Sequence, residues 1–260
     1  MRMTKFIDLS VTLEARPPGT SYGHGEPEIT YVAHEESAQK RAGVYGLKPS
    51  DFDFRGGKYA AVERISVGTH DATHLDAPWH YGPTSEGKPS KTIDQIPLEW
   101  CYGDGVVLDF HHKKTGEGIS AKEVADALDK IGYQLKPRDI VLIRTDAYKY
   151  YGTPEYANIH PGMTRESTLW LIEHGIKLMG IDAWGWDRPH KIMVEELKAG
   201  HKERFFESHY LGMEREYIHL ERLANLDKIP RPFGFKVIAF PIKIARASAG
   251  LVRAVAILED

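Results

Sequence analysis

Short apolar stretches recur along the chain and predict a protein rich in β-strands. Each stretch is built from β-branched and aliphatic residues and is bounded by glycine, proline or polar residues, as strands commonly are. Between the first two stretches, residues 17–19 and 23–25 contain proline and glycine and predict a loop. Residues 40–57 contain four glycines and predict an irregular segment. The predicted strands are residues 5–12, 28–33, 59–67, 105–110, 139–144, 176–182, 236–240 and 252–258.

Two helices are predicted between these strands. Ser120, with Glu123 three residues later, has the pattern of a capping box, and Gly132 marks the end of that helix. Thr164 begins the second helix and Gly175 ends it. Because each helix connects two predicted strands, the pattern indicates strand–helix–strand units and some parallel pairing. The sequence therefore predicts an α/β protein with a mixed, strand-rich sheet.

Composition and charge exclude several classes of protein. An apolar fraction of 42% and a charged fraction of 27% are typical of a globular protein. The formal net charge of −3 argues against nucleic acid as a partner. No apolar run approaches the roughly 18–20 residues that cross a bilayer, so we expect no membrane partner and a cytoplasmic location. Cys101 is the only cysteine, which excludes an intrachain disulfide and predicts a buried, unreactive thiol.

Residues 68–82 carry the most distinctive chemistry of the chain, because they place His70, His74, Asp76 and His80 close together. A continuous helix cannot gather all four, since Asp76 would lie roughly 240° around the helix from His70. A straight strand would hold His70 and His74 about 13 Å apart. We therefore expect the backbone to turn in this segment, so that the four side chains meet.

Imidazoles and a carboxylate without a thiolate are typical ligands of Zn²⁺ or Mn²⁺. Two histidines and one aspartate leave a coordination position open, as catalytic sites do for water. A bound Zn²⁺ lowers the pKa of that water to about 7, which makes hydroxide available at neutral pH. The pattern therefore favours hydrolysis. The alternative is a loop whose histidines each bond a backbone group.

A second group of histidines and carboxylates lies between residues 207 and 227. His209 and Glu221 are candidates to complete the metal site, and His219 competes with them. Composition alone leaves this open, because the acidic residues of the segment also fit an ordinary solvated helical face. These residues are Glu207, Glu214, Glu216 and Glu221.

The run from His70 to His80 resembles the signature His-x-Gly-Thr-His-x-Asp-x-Pro-x-His of the metal-dependent cyclase or arylformamidase-like hydrolase family. Ala72 stands where the signature has glycine. Formamidase members of that family carry an N-terminal Trp-Pro-Gly segment, whereas this chain has Pro-Pro-Gly-Thr-Ser-Tyr at residues 17–22. The resemblance covers most of the chain and includes residues 6–10, 139–145, 180–182, 240–244 and 252–256.

The resemblance implies a role for each residue of the signature. His70, His74 and Asp76 would bind a divalent metal, and His80 would act as proton donor and acceptor. The implied cofactor is Zn or Mn, with one or two ions in each chain.

The resemblance also implies roles in the distal segment. Glu221 precedes the sequence Leu-Ala-Asn-Leu-Asp, and His209 lies twelve residues before it. These two residues would bind a second ion, and Asp76 and Glu221 would be the bridging carboxylates. His219 is then expected to be a supporting or structural residue.

The fold that the resemblance implies is a swivelling β/β/α layered domain. We therefore expect residues 1–260 to form a single domain with an insertion around residues 34–57, and the chain to assemble into a homodimer or homotetramer.

The function expected from these residues is metal-dependent hydrolysis of a C–N bond in a small amide, formamide or lactam, with a cyclic or aromatic substrate. Lactone hydrolysis or the reverse cyclisation at the same site is an alternative, and so is a metal-binding protein without turnover. Four aromatic residues either line the substrate pocket or belong to the core, and core packing is the favoured interpretation. They are Trp79, Tyr81, Trp184 and Trp186.

Overall fold

A computed structural model describes residues 3–15 and 26–259 of the chain. The loops predicted at residues 17–19 and 23–25, and the segment at 17–22, lie outside the described residues. The chain divides into two compact units, one formed by Met1–Thr12 with Thr69–Asp260 and the other by Leu13–Gly68. The expected insertion at residues 34–57 falls within the second unit. The single domain over residues 1–260 stays a prediction.

The elements of the described residues are mostly short. Among them, no helix is both long enough and apolar enough to cross a membrane. The strands are β1 (Thr4–Asp8), β2 (Glu28–Val32), β3 (Val62–Ser66), β4 (His74–Asp76), β5 (Thr84–Ser85), β6 (Lys88–Pro89), β7 (Tyr102–Asp109), β8 (Gly118–Ile119), β9 (Ile140–Arg144), β10 (Gly162–Met163), β11 (Leu178–Ile181), β12 (Ile218–Glu221), β13 (Phe235–Ile238), β14 (Ala249–Leu251) and β15 (Val255–Glu259). The helices are α1 (His34–Tyr45), α2 (Pro78–Tyr81), α3 (Ala121–Ile131), α4 (Arg165–Glu173), α5 (His190–Lys198) and α6 (Glu207–Leu211).

The first unit is built on one nine-stranded sheet with the order β1-β15-β13-β7-β9-β11-β12-β4-β14. Strands β7, β9, β11 and β12 pair in parallel, and the outer strands pair antiparallel. The two predicted strand–helix–strand units are present, because α3 connects β7 to β9 and α4 connects β9 to β11. The predicted α/β class with a mixed, strand-rich sheet is confirmed.

Both faces of the central strands are buried. On β9, Ile140 and Leu142 belong to one hydrophobic cluster, whereas Val141 and Ile143 belong to another. The second cluster also contains the apolar residues of α3 and α4, such as Leu171. Burial on two faces explains why β9 is apolar at four successive positions rather than at alternate ones.

The ends of α3 are those that the sequence predicts. The Glu123 carboxylate accepts a hydrogen bond from Ser120 N at 2.9 Å, and Glu123 N donates to Ser120 Oγ at 3.3 Å. Gly132 follows the last turn with φ 67°, a left-handed conformation that glycine adopts without steric cost. Thr164 caps α4 in a similar way, because its Oγ1 accepts from Ser167 N at 3.2 Å.

The second unit contains a hairpin and a helix. Strands β2 and β3 pair antiparallel, with Ile29 opposite Ile65. Apart from the hairpin, Ala38 and Ala42 of α1 form a small buried cluster with Phe52.

The irregular segment predicted for residues 40–57 is wrong in its first part, where α1 continues to Tyr45. Residues 34–45 are rich in Glu, Ala, Lys and Arg, which favour helix, but they carry no apolar stripe at helical spacing. Gly43, which suggested a break, lies inside the helix. The helix ends instead at Gly46, with φ 68°.

Gly162 is expected to be essential for packing between β10 and the segment before α5. A Cβ atom at Gly162 would lie inside van der Waals contact of the Asp187 and Arg188 backbones. Backbone cannot rotate away as a side chain can, so we expect Gly162→Ala to lower the free energy of unfolding by about 1–3 kcal/mol. Urea denaturation checks this.

Gly43→Ala is the matched control, because a Cβ atom there meets nothing within 4 Å and the residue is helical. We expect this variant to be about 0.5–1 kcal/mol more stable than the parent. Equal stability changes in the two variants would contradict the packing argument.

Candidate metal centre

Two adjacent antiparallel strands place four ligand-type side chains on one face of the main sheet. In the register of β4 and β12, His219 lies opposite Asp76, and Glu221 lies opposite His74. Residues two apart on a strand share a face, and so do directly opposed residues. The pair of strands therefore forms a compact square of two imidazoles and two carboxylates.

The residues between these ligand-type side chains point the other way. Leu75 and Leu220 oppose each other in the same register and are fully buried in the hydrophobic cluster on the opposite face. A hydrogen bond from Val11 N to Thr73 Oγ1, at 2.9 Å, and one from Thr73 Oγ1 to Arg222 O, at 2.5 Å, hold the ends of the two strands together. Strand alternation thus separates the polar cluster from the apolar core.

Three further histidines come from segments next to the sheet. His70 lies in the irregular segment before β4, His80 lies in α2, and His209 lies in α6. Ala72 has φ 47°, and this left-handed residue turns the backbone between His70 and β4. The turn predicted within residues 68–82 is present, and it occurs at the position where the family signature has glycine.

Asp76 lies at the centre of the cluster and is fully buried. Its Oδ1 is 2.9 Å from His70 Nδ1 and 3.3 Å from His74 Nε2. Its Oδ2 is 3.2 Å from His219 Nε2. The same oxygen is 3.7 Å from the Nε2 atoms of both His80 and His209.

Glu221 is the second buried carboxylate. Its Oε2 is 3.6 Å from His74 Nε2, whereas its Oε1 is 3.2 Å from His219 Nε2 and 3.8 Å from His209 Nε2. Trp186 N donates a hydrogen bond to Oε1 at 2.7 Å, which fixes the carboxylate. Both carboxylates therefore present one oxygen toward His74 and the other toward His209 and His219, an arrangement suited to bridging.

Several buried polar atoms of the cluster lack a hydrogen-bond partner among the described residues. They are His74 Nε2 and both carboxylate oxygens of Asp76. His70 Nδ1 lies only 2.9 Å from Asp76 Oδ1, but this contact is not aligned as a hydrogen bond. An unsatisfied buried polar group costs about 1–3 kcal/mol, and more when it is charged. A cation between these atoms would satisfy all of them.

The outer nitrogens of two histidines support the same conclusion. His74 Nδ1 lies 3.0 Å from Ala72 O, and His209 Nδ1 lies 2.5 Å from Asp187 Oδ2. These oxygens only accept, so Nδ1 carries the proton, and a neutral imidazole then keeps a lone pair at Nε2. Imidazole lone pairs and carboxylate oxygens therefore face one another. The residues present fit a divalent metal ion.

The cluster also shifts the pKa values of its members. Burial alone raises the pKa of Asp76 and of Glu221, but the surrounding histidines outweigh burial and hold both values well below their usual range. Burial lowers the pKa of His209, yet the hydrogen bonds to Asp187 and Asp76 outweigh it and raise the value to about 10, so without an ion this imidazole holds a second proton at Nε2, which a bound ion would displace. Burial lowers the pKa of His80 to about 3, so this imidazole is neutral near pH 7.

The structure brings together every site residue that the sequence predicts, although their roles as ligands and proton carrier stay predictions. These residues are His70, His74, Asp76, His80, His209 and Glu221. His219, expected to be a support, faces both carboxylates directly. The solvated helical face considered for the distal segment is wrong for Glu221, because α6 ends at Leu211 and Glu221 is buried on a strand.

The predicted core role holds for two of the four aromatic residues near the cluster, because Tyr81 and Trp186 are buried in the core. Trp79 is 45% exposed. Trp184 is partly buried, and its ring lies 5.0 Å from the Arg222 guanidinium. Away from the cluster, burial raises the pKa of the Cys101 thiol to about 12, in agreement with the predicted unreactive thiol.

Asp187 is a residue of the site that sequence reasoning missed. Its Oδ2 accepts from His209 Nδ1 at 2.5 Å, and its carboxylate also accepts from the backbone nitrogens of Ser208, at 2.8 Å, and His209, at 3.2 Å. The carboxylate thus fixes both the start of α6 and the direction of the imidazole. Nothing in the sequence around Asp187 indicates that its partner is His209, 22 residues away.

Asp187→Asn is expected to weaken metal binding about 10- to 100-fold, because such outer carboxylates orient a ligating histidine. The asparagine keeps the volume but loses the negative charge, and its single oxygen cannot accept from both Ser208 N and His209 Nδ1. Competitive titration with a fluorescent chelator measures the affinity.

Asp182→Asn controls for the loss of a buried carboxylate in this comparison. Asp182 accepts from Thr145 N at 2.6 Å and from Asp146 N at 3.0 Å, and it belongs to neither group of ligand-type residues. We expect this variant to bind metal as tightly as the parent. Equal affinity in the Asp187 variant and the parent would contradict the orienting role.

Solved structures share the fold of this chain. An isatin hydrolase A from Ralstonia solanacearum superposes with a TM-score of 0.75 at 22% identity and covers 98% of this chain and 92% of its own. A protein described as a potential metal-dependent hydrolase with cyclase activity has a TM-score of 0.61 at 19% identity and covers 98% of both chains.

Sequence comparisons agree with this likeness. The kynurenine formamidase of Bacillus thuringiensis (strain Al Hakam) is 28% identical over 194 residues, which are 75% of this chain and 78% of that protein. The family model described as "Putative cyclase" matches residues 7–188. That match includes His70, His74, Asp76 and His80, and it spans well over half of the chain. The protein therefore belongs to the cyclase family.

Proposed function

We propose that this chain is a metal-dependent hydrolase that cleaves the C–N bond of a small amide, formamide or lactam with a cyclic or aromatic skeleton. The observation that carries the proposal is the convergence of imidazole nitrogens and carboxylate oxygens inside a buried cluster, beside a partly exposed histidine. His80 is that histidine, and its side chain is 29% exposed. The likeness of the chain to a kynurenine formamidase and to isatin hydrolase structures supports the same reaction class.

The ligand set proposed for one or two Zn²⁺ or Mn²⁺ ions is drawn from the buried cluster. When bound, such an ion polarises the scissile carbonyl and makes water acidic enough to supply hydroxide near neutral pH. The nitrogen and oxygen donors fit both metals. The proposed ligands are His70, His74, Asp76, His209 and Glu221.

His80 is the proposed proton carrier. Its Nε2 lies 3.7 Å from Asp76 Oδ2, and its ring centroid lies 4.1 Å from that of His70. The neutral imidazole can accept a proton from the attacking water and return it to the leaving nitrogen. The reaction consumes one water, breaks the acyl C–N bond and releases a carboxylate and an amine.

A panel of substrates tests the proposal. The metal-loaded protein is assayed on N-formyl anilines, isatin-type lactams and aromatic lactones, and release of the amine or ring opening is followed by absorbance. We expect turnover of at least one C–N substrate and its loss after dialysis against a chelator.

Two other outcomes support different functions. Turnover of lactones alone favours a lactone hydrolase or cyclase at the same site. Stoichiometric metal without turnover on any member of the panel favours a metal-binding protein. The homodimer or homotetramer and the cytoplasmic location remain predictions, which sedimentation and cell fractionation test.

A further inference from the structure

Four buried side chains of the cluster point one atom each toward a common centre. Nε2 of His219 lies 3.2 Å from both Asp76 Oδ2 and Glu221 Oε1. Nε2 of His209 lies 3.7 Å and 3.8 Å from the same two oxygens. Ligands at about 2.0–2.2 Å from an ion in a tetrahedral site lie about 3.3–3.6 Å from each other. Four of the six separations are therefore close to those of a tetrahedral site, and all four atoms lie within 4.8 Å of one another.

The neighbours of His219 suit binding of an ion through Nε2. Tyr81 Oη lies 3.0 Å from His219 Nδ1 and 3.4 Å from Asp76 O. With the Tyr81 hydroxyl proton donated to Asp76 O, Tyr81 Oη accepts from His219 Nδ1, and a lone pair on Nε2 is directed at two carboxylate oxygens. In the other tautomer Nε2 would donate to Glu221 Oε1, 3.2 Å away, and a bound ion would displace that proton.

Two aromatic rings hold the His219 imidazole in this orientation. Tyr81 stacks on it with ring centroids 5.3 Å apart, and Trp186 stacks on it with centroids 5.6 Å apart and planes 18° apart. The side chain is fully buried. His219 therefore cannot turn its lone pair away from the carboxylates without moving two core aromatic residues.

The opposite side of the carboxylates is more open. The side chains of His70 and His80 are 18% and 29% exposed, whereas those of His209 and Glu221 are 6% and 8% exposed. A small molecule can approach only where the donors reach the surface. The two sides of Asp76 thus differ in access as well as in their ligands.

We propose that His219 is the fourth protein ligand of a closed ion site, formed with Asp76, His209 and Glu221, and that the two ion positions have different roles. The closed position has no place for water or substrate and retains its ion. The open position, at His70 and His74, exchanges its ion and receives the substrate. This inference rests on the proposed function for the existence of bound metal.

Loading with Co²⁺ tests the assignment in the intact chain. After a single equivalent, proton NMR of the paramagnetic protein is expected to show two shifted, exchangeable imidazole N–H signals, from His209 and His219. The visible absorption is expected to be intense, as it is for four-coordinate Co²⁺. One N–H signal with weak absorption would overturn the proposal, and this measurement needs no variant.

Release of metal to a chelator gives the second test. With both sites loaded, we expect one ion to leave rapidly and one slowly. His219→Gln is expected to speed the slow phase by more than about 100-fold, since the loss of an outer partner costs only about 10- to 100-fold. His160→Gln is the matched control, because His160 is fully buried, bonds Pro161 O at 2.8 Å and lies outside the ligand groups.

The outcomes separate this inference from the function on which it rests. A slow phase that His219→Gln accelerates by less than about 100-fold would overturn the assignment of His219 as a fourth ligand, even if the enzyme is active. Failure of the parent to bind any ion would overturn the proposed function as well. A slow phase accelerated by more than about 100-fold in His219→Gln, with unchanged release in His160→Gln, supports the closed site.

Discussion

Asp76→Asn is expected to abolish both metal binding and hydrolysis. Asp76 supplies an oxygen to each side of the cluster, within 2.9–3.7 Å of five histidines, and no other described carboxylate contacts all of them. The asparagine keeps the shape but removes the negative charge that attracts the ion. Losing several kcal/mol of electrostatic stabilisation of the transition state corresponds to a loss of about 10⁴-fold in kcat/KM.

Elemental analysis after purification without chelator, together with the rate on the best substrate of the panel, checks this expectation. Asp139→Asn is the matched control, because Asp139 is also buried and accepts from Tyr133 Oη at 2.9 Å and Lys136 N at 2.8 Å, outside the cluster. The control should retain its metal. An Asp76 variant that keeps full metal content and activity would exclude this carboxylate as a ligand.

His80→Ala is expected to lower kcat by about 10²–10⁴-fold while metal content stays the same. A proton carrier typically contributes a factor of this size. Burial lowers the pKa of His80 to about 3, so the imidazole is unprotonated at neutral pH and keeps a lone pair. Its Nε2 is no closer than 3.7 Å to the nearest carboxylate oxygen, and its ring is the most exposed of the clustered imidazoles.

The decisive comparison is between rate and metal content. His174→Ala serves as control, since His174 is exposed and its Nδ1 contacts Trp170 O at 2.8 Å, so we expect its kcat to match the parent. Loss of metal along with activity in the His80 variant would make this residue a ligand instead of a proton carrier. Unchanged kcat would remove it from the reaction.

Six of the nine strands of the main sheet could be predicted from the sequence because their signals are local, whereas β4, β12 and β14, of three or four residues each, were not predicted. Continuous apolar stretches mark the doubly buried strands, and the cap at Ser120 marks α3 to within a residue. The helix α1 was not predicted, because its few buried residues are small and form no apolar stripe in the sequence. Two-residue strands such as β5 and β8 carry too few residues to show any period.

The candidate site was predictable for a different reason. His70, His74, Asp76 and His80 lie so close in sequence that their meeting needs only a short turn. His209 and Glu221 were recovered through resemblance, since composition alone left them open.

The partners that orient the ligands were not predictable in this way. Asp187 reaches His209 from 22 residues away, and Tyr81 reaches His219 from 138 residues away. Such contacts depend on how helices and strands pack, and neither spacing nor residue type along the chain encodes that packing locally.

In the pairing of β4 with β12, Leu75 lies opposite Leu220, between the pairs Asp76–His219 and His74–Glu221. This alternation penalises an incorrect strand register during folding. A slip of one position would turn Leu75 toward the carboxylates and drive Asp76 into the hydrocarbon side of the sheet. A chain with this shifted register could not bind an ion at the cluster, and it would bury the Asp76 carboxylate without a partner. Metal supplied during refolding is therefore expected to select chains with the correct strand alignment, so that yield, and not only final stability, rises with its concentration.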